Sequence, residues 1–136
     1  MLQAPPMVCV FLHSGDYDRL HQGLSIAATA AAQERTVHIF FFWWALERLG
    51  KGALDEPDFG PGREEHAARF ETRNMPTLRE LLKYLKASGR CTLHACTGSM
   101  AVVAPPVSGI EAWIDCYSGW SSILQLSSGV ADRFYL

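Results

Sequence analysis

With 136 residues, 49% of them apolar, the chain has the material for one domain, residues 1–136, around a single core, and its length gives no reason to propose two. A formal net charge of -2, without a basic run or an arginine stripe, excludes a surface built to neutralise phosphates, so no nucleic-acid partner is expected. The start has no basic region ahead of its short apolar run, and residues 39–46, the most hydrophobic stretch, fall well below the roughly 18 to 20 residues of a spanning helix. Neither a signal peptide nor stable membrane insertion is expected.

Residues 7–12 form a short continuous apolar run bounded by His13-Ser14-Gly15, the pattern of a strand buried on both faces of a parallel sheet. Residues 17–33 carry Leu20, Leu24, Ala27, Ala28 and Ala31 at helical spacing, with Asp16 or Ser14 available as N-cap. Residues 36–44 are β-branched and aromatic and read as a second strand, with Trp43 and Trp44 at its end, where either can line a crevice or a subunit interface. Strand, helix, strand implies a right-handed parallel crossover.

Residues 50–74 mix glycines and prolines with charged residues and read as a surface excursion; Phe59 and Phe70 within it are candidates to cover the site or a neighbour. Thr77-Leu78-Arg79-Glu80 is a capping box, opening a helix whose apolar stripe is Leu78, Leu81, Leu82 and Leu85 and whose C-terminal cap is Gly89. Residues 91–96 follow as the third strand. Pro105-Pro106 limits a helix from Thr97 to about two turns. A short strand is expected around residues 110–114, a last helix through Trp120, Ile123, Leu124 and Ser127 closed by Gly129, and a final strand over 130–136. The order predicts a three-layer α/β/α sandwich, flavodoxin-like, with a mainly parallel sheet of about five strands.

Four cysteines allow two disulfides by count, but a chain with an ample core and no export signal is expected to keep them reduced in a bacterial-type cytoplasm. His94-Ala95-Cys96 offers two ligands where a structural zinc needs four, so no metal is expected, and no cofactor. Cys96 stands out because it lies where a buried strand hands over to Thr97-Gly98-Ser99 and a helix. The carboxyl ends of parallel strands form the ligand crevice, and helix amides and dipole favour a thiolate there. Ser14, Gly15, Trp44, Thr97, Gly98 and Ser99 are the expected crevice residues.

Several segments together resemble the DsrE/DsrF-like sulfur-relay family, closest to its DsrE2-like branch, sometimes labelled peroxiredoxin-like. They are Ser14-Gly15-Asp16-Tyr17-Asp18, Phe41-Phe42-Trp43-Trp44-Ala45-Leu46, Met75-Pro76-Thr77-Leu78-Arg79-Glu80-Leu81-Leu82 and Ala95-Cys96-Thr97-Gly98-Ser99-Met100. The resemblance implies a flavodoxin-like fold, a homotrimer or homohexamer, and sulfur carried as a persulfide on the cysteine after the third strand, by position Cys96. It also implies sulfur donor and acceptor proteins as partners, and it matches the insertion at 50–74. Ile114-Asp115-Cys116-Tyr117-Ser118-Gly119 and Pro105-Pro106 depart from the family pattern, and the second leaves the shape of the cysteine loop open.

Each candidate has a plainer reading beside it. Cys96 is a sulfur carrier or a small buried hydrophobe. Cys116 is a resolving thiol if the last strands neighbour the third, or a buried residue. His13 is expected to meet Cys96 if the first and third strands are adjacent, as a thiolate partner, or to be satisfied by a loop carbonyl. His94 shares the Cys96 side of its strand and is expected to pack, as are Cys9 and Cys91. Asp16 and Asp18 are read as cap and first-turn carboxylates. The rival to a sulfur relay is a non-catalytic small-molecule or nucleotide-binding module, or a structural subunit; the absence of a Gly-rich phosphate loop weighs against nucleotide.

Overall fold

The computed structural model describes residues 4–136, and in it the apolar runs pair side by side into an all-parallel five-stranded sheet. The strands are β1 (Val8–Leu12), β2 (Val37–Phe41), β3 (Cys91–Cys96), β4 (Cys116–Ser118) and β5 (Asp132–Tyr135), in the order β4-β3-β2-β1-β5. The helices are α1 (Tyr17–Ala32), α2 (Trp43–Lys51), α3 (Glu64–Thr72), α4 (Leu78–Ser88), α5 (Thr97–Val103), α6 (Val107–Glu111) and α7 (Trp120–Ser127). This is the expected three-layer, flavodoxin-like α/β sandwich. Its strand order sets β2 between β1 and β3, so the expected adjacency of those two strands does not hold.

The order explains why the two faces differ. From β1 to β4 the chain steps in one direction, and right-handed crossovers place every intervening helix on the same side. Side chains of α1, α2, α4 and α6 pack there against Val8, Val10, Leu12, Val37, Ile39, Phe41, Leu93 and Ala95. The connection from β4 to β5 returns across the whole sheet, so α7 lies on the opposite face, where Ile123 meets Cys9, Phe11, Phe40, Phe42 and Cys96. Eight residues make a helix about 12 Å long, against a sheet about 19 Å wide at the usual strand spacing. One short helix leaves part of this face uncovered.

Local signals match the sequence at most ends. The Thr77 hydroxyl accepts from the Glu80 N–H while the Glu80 carboxylate accepts from the Thr77 N–H, and Gly89 caps α4 in the left-handed region at φ 69°. At α1, Asp16 holds the N-cap position without a side-chain cap; Ser14 Oγ instead accepts from the Asp16 N–H.

Two predicted strand segments are helical. The second strand ends at Phe41, and Trp43 and Trp44 open α2, because Ala45, Leu46 and Leu49 recur at helical spacing and bury together, with Gly52 as its left-handed cap. Residues 107–111 form α6 in place of a strand around 110–114. Ile110 and Trp113, three apart, bury on one side, and the chain joins the sheet as a strand only from Cys116. The excursion at 50–74 carries α3 and folds back on α1: Phe59 and Phe70 set their ring edges against Tyr17 at 6.0 and 5.9 Å. They cover Tyr17 and do not reach Cys96. No described helix is long and apolar enough to cross a membrane.

Candidate functional site

Cys96 is the last residue of β3 and the N-cap of α5, so its side chain leaves the sheet on the thinly covered face at the carboxyl edge. It is buried, with 4% of its surface exposed, and borders a cleft of about 460 Å³. The uncovered strip beside α7 is that cleft. It is lined by a run of stacked rings: Phe11 lies 4.5 Å from Tyr135 and 6.3 Å from Phe42, and Phe42 lies 5.2 Å from Trp120. Trp43 and His13 close one end, and Gly98 and Ser99 stand beside the thiol.

The structure thus brings Cys96, His13, Gly98 and Ser99 to one cleft. His13 reaches it from the end of β1, exposed, across the intervening β2. Its backbone is tied in place, the N–H donating to Leu136 and the carbonyl accepting from Ala45. Ser14, Gly15 and Trp44 line a separate hollow with Arg48 and Asp58, which meets the Cys96 cleft only at His13. Gly15 is needed there, since a Cβ would stand 2.7 Å from the Trp44 carbonyl oxygen. Thr97 is exposed in the first turn of α5.

Cys116 is exposed on the edge strand, so the plainer reading of it as a buried residue does not hold. Its register partner is His94; Ser118 is the residue opposite Cys96. The diagonal from Cys116 to Cys96, one strand across and two residues along, is about 8 Å between Cα atoms at ordinary sheet spacings. That exceeds the roughly 7 Å that a disulfide spans without backbone movement.

Sequence reasoning missed a polar chain beneath the thiol. His94 Nδ1 lies 3.0 Å from Ser118 Oγ, and its Nε2 lies 3.0 Å from His38 Nδ1. The three residues come from β3, β4 and β2 and share the Cys96 face, the spacing that alternation gives to positions two apart. Burial, reinforced by the neighbouring His38, pushes His94 down to about 4, and burial lowers His38 as well. A neutral ring carries one N–H, so His94 donates to one neighbour and accepts from the other. The ring also stacks on Phe40 at 4.7 Å. His94 therefore packs, as expected, and in doing so joins three strands.

Of the other cysteines, Cys9 is buried in the core and Cys91 packs half-buried against it. Burial raises the Cys9 thiol, and burial together with the Asp115 carboxylate pushes Cys91 up to about 12, so both stay protonated. All four cysteines are free thiols. Among the described residues, no group of three or more His, Cys, Asp or Glu side chains is placed to hold a metal ion. No protein-family model and no curated protein matches this chain.

Proposed function

We propose that this chain carries sulfur as a persulfide on Cys96, the reading that its resemblance to the DsrE/DsrF-like family raised. The observation that supports it best is the placement of Cys96: a thiol at the carboxyl end of a parallel strand and the head of a helix, bordering a cleft large enough for a small donor. The Cys96 thiolate attacks the outer sulfur of a sulfane. A new S–S bond forms, the donor's S–S bond breaks, and the donor leaves with the electron pair. An acceptor thiolate then takes the outer sulfur by the same exchange, releasing Cys96. His13, at the same cleft, is the group available to hold or pass a proton. Donor and acceptor proteins, a homotrimer or homohexamer and a cytoplasmic setting belong to the same proposal. The distance across the sheet argues against Cys116 as a direct resolving thiol, so release goes to an outside thiol.

A second reading, a small-molecule binding module, draws on the same aromatic cleft. Incubation with a sulfane-sulfur donor and intact-mass spectrometry separate the two. The carrier gains about 32 Da, removable by a reductant, and loses that gain in Cys96→Ser but not in Cys116→Ser. A wild type that gains no mass from several donors, yet melts higher with a flat apolar ligand, is a binding module.

A further inference from the structure

The cleft beside Cys96 combines apolar rings with a lining free, among the described residues, of Lys, Arg, Asp and Glu side chains. Phe42 stacks on Trp120 and Phe11 on Tyr135, and Phe11 and Phe42 lie 6.3 Å apart, so the four rings make one row along the cleft. Among the described residues no Lys, Arg, Asp or Glu lines it; the polar side-chain groups are His13, Ser99, the Trp43 and Trp120 indole N–H groups, the Tyr135 hydroxyl and the thiol itself. Arg133 is paired with Cys9, one side-chain layer below, and lies over the Phe11 and Tyr135 rings at 5.8 and 5.9 Å without bordering the cleft. An inorganic dianion such as thiosulfate would lose hydration here without a cation to replace it. A planar apolar group of ring size would exchange water for aromatic surface.

We infer that the donor class suited to this cleft is an organic sulfane whose apolar, preferably aromatic, body seats against the row of rings that runs from Trp120 to Tyr135 while its outer sulfur meets Cys96. The inference rests on the carrier reading and names its substrate class. Arenethiosulfonate is the simplest probe. The Cys96 thiolate attacks the outer divalent sulfur, the sulfur–sulfonyl bond breaks, and arenesulfinate leaves with the electron pair. Cys96-S-S⁻ remains, and no outside oxidant or reductant is required. Trp120, half-exposed on α7, then sets specificity through the donor's body and takes no part in the exchange.

The test compares loading of the full chain by benzenethiosulfonate, methanethiosulfonate and thiosulfate at equal concentration, read by intact mass, each rate divided by that of N-acetylcysteine with the same donor. The first two carry one charge and the same reacting bond, so their ratio isolates the ring. The expected result is a benzene-to-methane ratio about tenfold above that of the free thiol, from burial of one ring face, with thiosulfate slowest. The ratio falls towards that of the free thiol in Trp120→Ala and is kept in Trp120→Phe, with circular dichroism confirming that both variants are folded. Equal normalised rates for the three donors, or an aryl preference that survives Trp120→Ala, overturns the inference and leaves the carrier standing. Loading of Cys96 by none of them overturns the carrier reading and this inference together.

Discussion

The two faces of the sheet are built to different ends. On one, α1, α2, α4 and α6 close over mostly aliphatic side chains that serve to fill volume, with the hydrogen-bonded Tyr17 hydroxyl among them. On the other, one eight-residue helix covers the cysteine, two histidines, a serine and a row of rings, and leaves a cleft. The crossover rule makes the asymmetry: successive strands laid in one direction send their helices to one side, and the single returning connection cannot roof the other. Chemistry gathers where coverage is thin, because a reactive thiol needs access and a helix terminus to favour its thiolate, whereas burial keeps Cys9 and Cys91 protonated.

The largest effect expected from this contrast is on stability. Leu82→Ala, at a side chain 1% exposed under α4, should cost about 2 to 5 kcal/mol in denaturant unfolding. Trp120→Ala, half-exposed on the cleft side, should cost less than about 1 kcal/mol. Equal losses would mean that the second face is as much a core as the first.

Next comes the buried histidine. Below about pH 6.5 the unfolded chain binds a proton that folded His94 refuses until about pH 4, so stability falls as pH drops through that window and is fully present above it. The loss attributable to His94 is up to about 3 kcal/mol. Urea melts at pH 7 and pH 5 should show it in the wild type and show it reduced in His94→Gln. An unchanged pH dependence in the variant would mean that the histidine chain does not hold the three strands in the way its hydrogen bonds indicate.

The smallest effect concerns Cys116. Mild oxidation of the wild type should leave its intact mass without the loss of two hydrogens that an internal Cys96–Cys116 bridge would cause, because the diagonal across β3 and β4 is too long. Appearance of that bridge without dimer would show that the edge strand shifts, and would restore Cys116 as a resolving thiol.

Much of the first face was legible in the sequence, because aliphatic periodicity, the Thr77–Glu80 capping box and Gly89 are local signals, and local signals set element type and ends. The third strand and Cys96 at its end were legible for the same reason. Three short helices, α2, α3 and α6, were not; α3 buries no residue fully, so no apolar stripe marks it. The aromatic run through Trp44 carries strong β propensity that packing of Ala45, Leu46 and Leu49 overrides, although that spacing and Gly52 were there to be weighed. Residues 107–111 are too few for periodicity to decide. The His38–His94–Ser118 chain was beyond reach, since it depends on which strands are neighbours, and β2 beside β3 follows from the order of crossovers. His13 illustrates the same limit: it does reach the Cys96 cleft, but around β2 and not from an adjacent strand.

The most direct measurement is to map the added sulfur on the wild-type chain by peptide mass spectrometry after loading and alkylation, with all four cysteines present. The account predicts sulfane sulfur on Cys96, with buried Cys9 and half-buried Cys91, whose thiols are held protonated, unmodified. Sulfur found on exposed Cys116 and not on Cys96 would contradict it.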